Sequence, residues 1–146
     1  MTIVGFNFTK ISIERKGEPK GRVDINNNIS LKDVVAASFG LGKSKEKGVR
    51  ISYEFVSKYN PDIAEILIGG DVLFIGEEKL NDEILKGWKK DKKIPKEVMK
   101  DMLNTIMMRC SVEAMILTKD LNLPPPIPFP RLEESTPEKS KNEYIG

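Results

Sequence analysis

The segment from Pro95 to Lys119 constrains the fold most, because it is the longest helical pattern in the chain and is apolar on two sides. Proline suits the first turn of a helix, and a helix of this length spans about 35 Å. One apolar stripe consists of Met99, Met102, Leu103, Ile106, Cys110, Ala114 and Leu117, and the other of Met108, Val112, Met115 and Ile116. One side can cover a sheet. The other needs a further partner, since monomers rarely leave such a patch in water.

Four segments ahead of this helix predict strands. Apolar and polar residues alternate in the first three. In the first strand, the apolar residues shift from even-numbered to odd-numbered positions near Thr9-Lys10, which indicates a bulge. The fourth, Ile63 to Gly76, is apolar on both parities, so it should be the central and most buried strand. Its Gly69-Gly70 pair predicts a bulge or the close approach of another backbone.

The connections complete the expected architecture. The Gly- and Lys-rich run from Ser38 to Gly48 predicts a mobile crossover loop, and helical spacing from Leu80 to Trp88 predicts a short helix capped by Asn81. We therefore expect an α+β fold, a four-stranded antiparallel sheet with the long C-terminal helix packed on one face. The domain should cover residues 1–132, and the polar residues 133–146 should form a disordered tail.

Composition excludes several functions. Lys and Arg number 24 and Asp and Glu 22, so the net charge of +2 implies neither nucleic acid nor an acidic membrane surface. The chain has no histidine, which removes Ser/His and Cys/His catalysis, and we expect no enzyme, metal or cofactor. A single cysteine and the absence of a signal-like or bilayer-spanning run favour the cytoplasm. Abundant Lys, Glu and Ile suit a heat-adapted protein.

A proline ribbon, residues 121–130 with the sequence LNLPPPIPFP, follows the helix. Five prolines exclude a helix or a central strand and favour an extended polyproline conformation. The ribbon could also be a ligand for a proline-binding module, but the apolar side chains between the prolines argue against free exposure and therefore against that function. The ribbon is therefore either the wall of an apolar groove or a stiff connector over the core.

Three motifs resemble those of the SecB export chaperones. These are Leu121-Asn122-Leu123-Pro124-Pro125 with a nearby Phe129, the opening pattern from Phe6 to Ile13, and GGDVLFIG at residues 69–76. The resemblance implies a homotetramer, built as a dimer of dimers, that binds unfolded polypeptides in long grooves without ATP. Bacterial members are acidic, whereas this chain is nearly neutral. Relatives also serve as antitoxin-linked chaperones, which is an alternative setting.

The resemblance suggests which residues to test. The groove would be lined by the ribbon, the Ser38–Gly48 loop and the helix methionines, namely Phe39, Leu41, Met108, Met115, Leu121, Leu123, Ile127 and Phe129. Subunits would meet through Met99, Met102, Ile106 and Cys110. The alternative is a structural or adaptor oligomer that uses the same helix for one fixed partner. Nucleic-acid binding through the lysine runs is less favoured, because only Trp88 is interleaved with them.

Overall fold

The computed structural model describes residues 2–41 and 44–127, which form one antiparallel sheet and two helices. The elements are β1 (Thr2–Arg15), β2 (Asp24–Leu41), β3 (Ser44–Asn60), β4 (Ala64–Ile75), α1 (Glu78–Asp91) and α2 (Lys96–Asp120). The strand order is β1-β4-β3-β2. This confirms the α+β class and the four-stranded antiparallel sheet. The side chain of Leu41, the predicted contact Phe129, the boundary at 132 and the tail 133–146 lie outside the described residues.

The core lies between one face of the sheet and the helices. The odd-numbered residues of β3 and the even-numbered residues of β4 point to this helix face, and most are fully buried: Val49, Ile51, Tyr53, Phe55, Tyr59, Ile66, Ile68, Val72 and Phe74. β4 lies between β1 and β3. The prediction that its doubly apolar sequence forms an interior strand is therefore confirmed.

A bulge in β1 sits opposite the two glycines of β4. The register shifts between Phe8 and Lys10, whose partners are Gly70 and Gly69, as the parity change predicted. A Cβ atom on Gly70 would collide with the carbonyl oxygen of Asn7 and lie 2.6 Å from the Tyr53 hydroxyl. Gly70 is required here because a second backbone approaches too closely for any side chain.

The predicted crossover loop is wrong, because β2 and β3 continue through it as a long hairpin. Their pairing extends to Leu41 and Ser44, so residues 38–41 and 44–48 belong to strands. The predicted cap is also wrong. Asn81 lies inside α1, and its side-chain nitrogen donates to the carbonyl oxygens of Lys47 at 3.3 Å and Gly76 at 3.2 Å. Asn81 therefore fastens α1 to the hairpin.

Helix α2 covers the sheet with a single stripe. Every fourth residue is buried against the sheet: Val98, Met102, Ile106, Cys110, Ala114 and Thr118. Met102, Ile106 and Cys110 are between 0 and 1% exposed. Because the chain's own sheet covers these three, they form the core of the protomer and offer no surface to a second copy, which corrects their assignment to a subunit interface. Neither described helix is long and apolar enough to cross a membrane.

Candidate peptide-binding groove

An open groove runs between the edge strand β2 and the helices. It has a volume of about 520 Å³ and is lined by Ile29, Leu31, Lys32, Trp88, Lys92, Met99 and Leu103. We call it the Trp88 groove. Ile29 and Leu31 pair with the buried Phe55 and Tyr53 and thus belong to the helix face of β2. They are only half-buried, because the helices do not cover this edge of the sheet completely.

Trp88 and Lys92 form one side of the groove at the end of α1. Lys92 has a left-handed backbone (φ 56°), and its N–H donates to the Trp88 carbonyl oxygen at 3.0 Å, which ends the helix. The Lys92 ammonium lies 4.8 Å from the centre of the Trp88 ring, a cation–π contact. Trp88 is 9% exposed and belongs to the core, so it offers the groove a small part of its ring, with a cation beside it.

Two further hollows continue the groove along β2. The next, about 530 Å³, shares Trp88 and Lys92 with it, and a third, about 300 Å³, shares Ala36 and Leu85 with the second. From Ile29 to Ser38 the strand spans about 30 Å. Nine residues of extended peptide would fit along this length. The walls become more polar toward the far end, where Glu78 and Asp82 line the third hollow.

The described part of the ribbon, residues 121–127, crosses the helix face at one end of the sheet. Side chains of three strands hold its carbonyl oxygens: Arg15 donates to Leu121 at 3.0 Å, Tyr59 to Pro124 at 2.6 Å and Asn27 to Pro126 at 3.0 Å. Proline has no N–H, but its carbonyl still accepts. The ribbon is thus attached across the sheet from β1 to β2 through its backbone carbonyl oxygens.

The Leu-Asn-Leu part of the ribbon ends α2. Asn122 has a left-handed backbone (φ 52°), and the Leu123 N–H donates to the Thr118 carbonyl oxygen at 3.0 Å, as in a Schellman motif. The Leu123 side chain is 7% exposed and belongs to the core. This corrects its assignment as a peptide contact. The described ribbon lies over the core, and Leu121 and Ile127 remain half-buried.

The structure does not bring the remaining predicted contacts together. Phe39 pairs with Glu46 at the far end of β2, on the face away from the helices, where it lies over Gly48. Twelve residues of strand separate it from Asn27 at the ribbon, about 40 Å. Met108 is 62% exposed on the side of α2 opposite the buried stripe, and Met115 is half-buried. One groove within one chain cannot include all of these residues.

Sequence reasoning missed most of the residues that line the groove. Ile29 and Leu31 read as ordinary members of a half-buried strand, and Trp88 and Leu103 as helix core. Met99 lines the groove, and its predicted subunit contact stays a prediction. The available signal was the edge position of β2, which the alternation pattern alone does not reveal.

Two buried polar groups of the described chain have raised pKa values. Burial raises the pKa of the Cys110 thiol to about 11, so this side chain stays protonated, and burial likewise raises the pKa of Tyr53. The Tyr53 hydroxyl donates to the Asn7 carbonyl oxygen at 3.2 Å. Within residues 2–41 and 44–127, no three Asp, Glu or Cys side chains cluster in a way that could hold a metal ion.

Comparisons with known proteins identify the fold. No model of a known protein family matches the sequence, and no curated protein matches it. Among solved structures, the chain resembles a SecB-like chaperone of Mycobacterium tuberculosis, solved in complex with a peptide from an antitoxin. The TM-score is 0.55, the sequence identity is 14%, and the match covers 92% of each chain. The chain therefore has a SecB-like fold.

Proposed function

We propose that this chain is an ATP-independent holdase chaperone that binds unfolded polypeptides in the Trp88 groove. The observation that carries the proposal is an apolar groove left open along the edge strand of a SecB-like fold. The solved neighbour with this fold binds a peptide from a partner protein, which supports binding rather than catalysis here.

The lining of the groove suits varied apolar segments. Five of its seven lining residues are apolar, and the half-buried Met99 is flexible enough to accept many side-chain shapes. Each client side chain that is buried there would contribute about 1–2 kcal/mol. Several such contacts along an extended segment give useful affinity with low specificity, as a holdase requires.

We further propose that the chain acts as a homotetramer, a dimer of dimers, in the cytoplasm. The surface that supports this is the outer stripe of α2, consisting of Met108, Val112 and Ile116, which are 62, 51 and 54% exposed. Ile116 lies two helical turns after Arg109, whose guanidinium sits over the Phe6 ring of β1. The outer stripe therefore borders β1, where Phe8 and Ile11 are also exposed. Such a surface favours a second copy.

Two settings are proposed for this activity. The sequence resemblance implies protein export, and the solved neighbour carries an antitoxin peptide, which suggests support of an antitoxin. The alternative function is a structural or adaptor oligomer, which the exposed outer stripe favours because a fixed partner could cover it. Recovery of one protein in a fixed ratio, instead of many unfolded ones, would identify the adaptor.

The test is whether the purified chain prevents aggregation of a denatured client at stoichiometric amounts without ATP. The double variant Leu31→Ser/Leu103→Ser removes two half-buried groove contacts, and we expect it to lose about 2–3 kcal/mol of binding, or about 30- to 150-fold in affinity. Val4→Ser is the matched control, because Val4 is 49% exposed on β1, at the opposite edge of the sheet from β2. Aggregation that continues with excess wild-type protein contradicts the holdase. If the folded double variant protects the client as well as the wild type does, clients do not bind in the Trp88 groove.

A further inference from the structure

We propose that residues 128–134 of the chain, with the sequence PFPRLEE, dock into its own Trp88 groove and compete there with clients. The effect on clients rests on the proposed function, whereas the docking itself does not. The occupant is identified by where the described chain ends, by its reach and by its charge.

The described chain ends beside β2, close to the groove. Asn27 holds the carbonyl oxygen of Pro126 at 3.0 Å. The next residues of β2 on the same face are Ile29 and Leu31, both in the groove lining. Alternate residues of a strand lie about 7 Å apart. A chain that continues beyond Ile127 along β2 therefore enters the groove without an intervening loop.

The reach of the segment matches the groove. If the segment takes an extended polyproline conformation at about 3.1 Å per residue, Phe129 would reach about 9 Å beyond Pro126 and Glu133 about 22 Å beyond it. Along β2, Lys32 lies about 17 Å beyond Asn27. Phe129 can therefore contact the apolar half of the groove while Glu133 reaches its charged end.

Charge and polarity of the segment complement the lining. Phe129 and Leu132 are large and apolar, Glu133 and Glu134 are acidic, and Arg131 is its one cation. The charged side chains that line the groove are Lys32 and Lys92. Nearby, Glu54 lies 3.8 Å from Lys32, and Asp33 and Lys89 line the hollow beyond Trp88. Lys92 carries no ion pair among the described residues, so it is the favoured partner of the two glutamates.

Trp88 is the single tryptophan of the sequence and lines the groove, so its fluorescence reports occupancy directly. In the full chain, Phe129→Ser/Leu132→Ser should increase acrylamide quenching of Trp88 by about twofold, because an apolar cover is lost. Tyr144→Ser/Ile145→Ser alters the same tail outside the proposed segment and should leave quenching unchanged. Equal quenching in all three proteins, or an increase also in the Tyr144/Ile145 variant, would overturn the docking.

Charge reversal provides an independent check. Lys92→Glu and Glu133→Lys/Glu134→Lys should each increase quenching of Trp88, and their combination should restore part of the loss. Purely additive changes would argue against the contact. If the difference in Trp88 quenching disappears when the protein is diluted, the segment docks on a second copy of the chain. That result would overturn the proposal that it docks within its own chain.

Client affinity then separates the two proposals. If the segment fills the groove in about nine molecules of ten, releasing it should tighten the apparent Kd for an unfolded client about tenfold. A change in Trp88 quenching without measurable binding by any client refutes the holdase and leaves the docking intact. Tight client binding with no change of quenching or affinity in the Phe129/Leu132 variant refutes the docking alone.

Discussion

Replacing Tyr59 by Phe removes the hydroxyl that holds the proline ribbon to the sheet, and the cost can be worked out from the structure. Tyr59 is 1% exposed, and its hydroxyl donates to the Pro124 carbonyl oxygen at 2.6 Å. The ring packing is kept in the variant, so the change isolates this hydrogen bond. Pro124 is half-buried, which leaves its carbonyl only partly accessible to water after the hydroxyl is removed.

The expected loss is about 2 kcal/mol in the free energy of unfolding. A typical hydrogen bond contributes about 0.5–1.5 kcal/mol net, and a buried carbonyl left without a donor adds a further penalty of about 1 kcal/mol or more. For a domain of this size, that loss lowers Tm by about 6 °C. Asn27→Ala, which removes the longer bond, 3.0 Å, from an exposed side chain to Pro126, should cost less, about 0.5–1 kcal/mol.

Urea unfolding at neutral pH measures these differences, with Tyr144→Phe as the matched control outside the described residues. An effect of Tyr59→Phe below about 0.5 kcal/mol, or one smaller than that of Asn27→Ala, would refute the reasoning that the Tyr59 bond holds the ribbon.

The alkaline pH dependence tests the same contact. Burial raises the pKa of Tyr59 from 10.0 to about 12. Because the folded value lies above the unfolded value, the stabilisation is complete below pH 10 and is lost as pH rises toward 12. Tyr59→Phe should reduce this alkaline loss, leaving the part due to Tyr53, whose pKa is also raised. An identical decrease of stability in both proteins would contradict the assignment.

Three further outcomes are expected. Gly70→Ala should lower the free energy of unfolding in urea by about 2–4 kcal/mol, because the added methyl group meets the β1 backbone. Gly40→Ala should change it little, because nothing lies within 4 Å of the added atom. Similar effects of both variants would contradict the close approach of β1 to Gly70. Cys110, whose burial raises its pKa to about 11, should resist thiol alkylation at pH 8 until the chain unfolds, and rapid labelling of the native protein would show that α2 opens. Met108→Ser/Ile116→Ser should yield a smaller species in light scattering while keeping the circular dichroism spectrum, and an unchanged mass would exclude the outer stripe as a subunit contact.

The sequence by itself determined the secondary structure and its order. A period of two marked the strands, and the change of parity near Thr9 located the β1 bulge, because side chains alternate between the two faces of a sheet. The doubly apolar β4 was recognised as interior for the same reason. The prediction failed at the β2–β3 hairpin, since glycine and lysine suggest a loop although the strand partners extend the pairing to Leu41 and Ser44.

Only the tertiary structure decided which apolar surfaces are covered. Both sides of α2 are apolar, so periodicity could not show that Met102, Ile106 and Cys110 face the sheet and that Met108 faces outward. The Trp88 groove combines residues 29–32 with residues 88–103, which are distant in the chain and meet only because β2 is an edge strand. The local pattern of apolar and polar residues indicates which side chains are favoured away from water. The packing of distant elements determines which of them remain available for a partner, because only packing covers one apolar face and leaves another open.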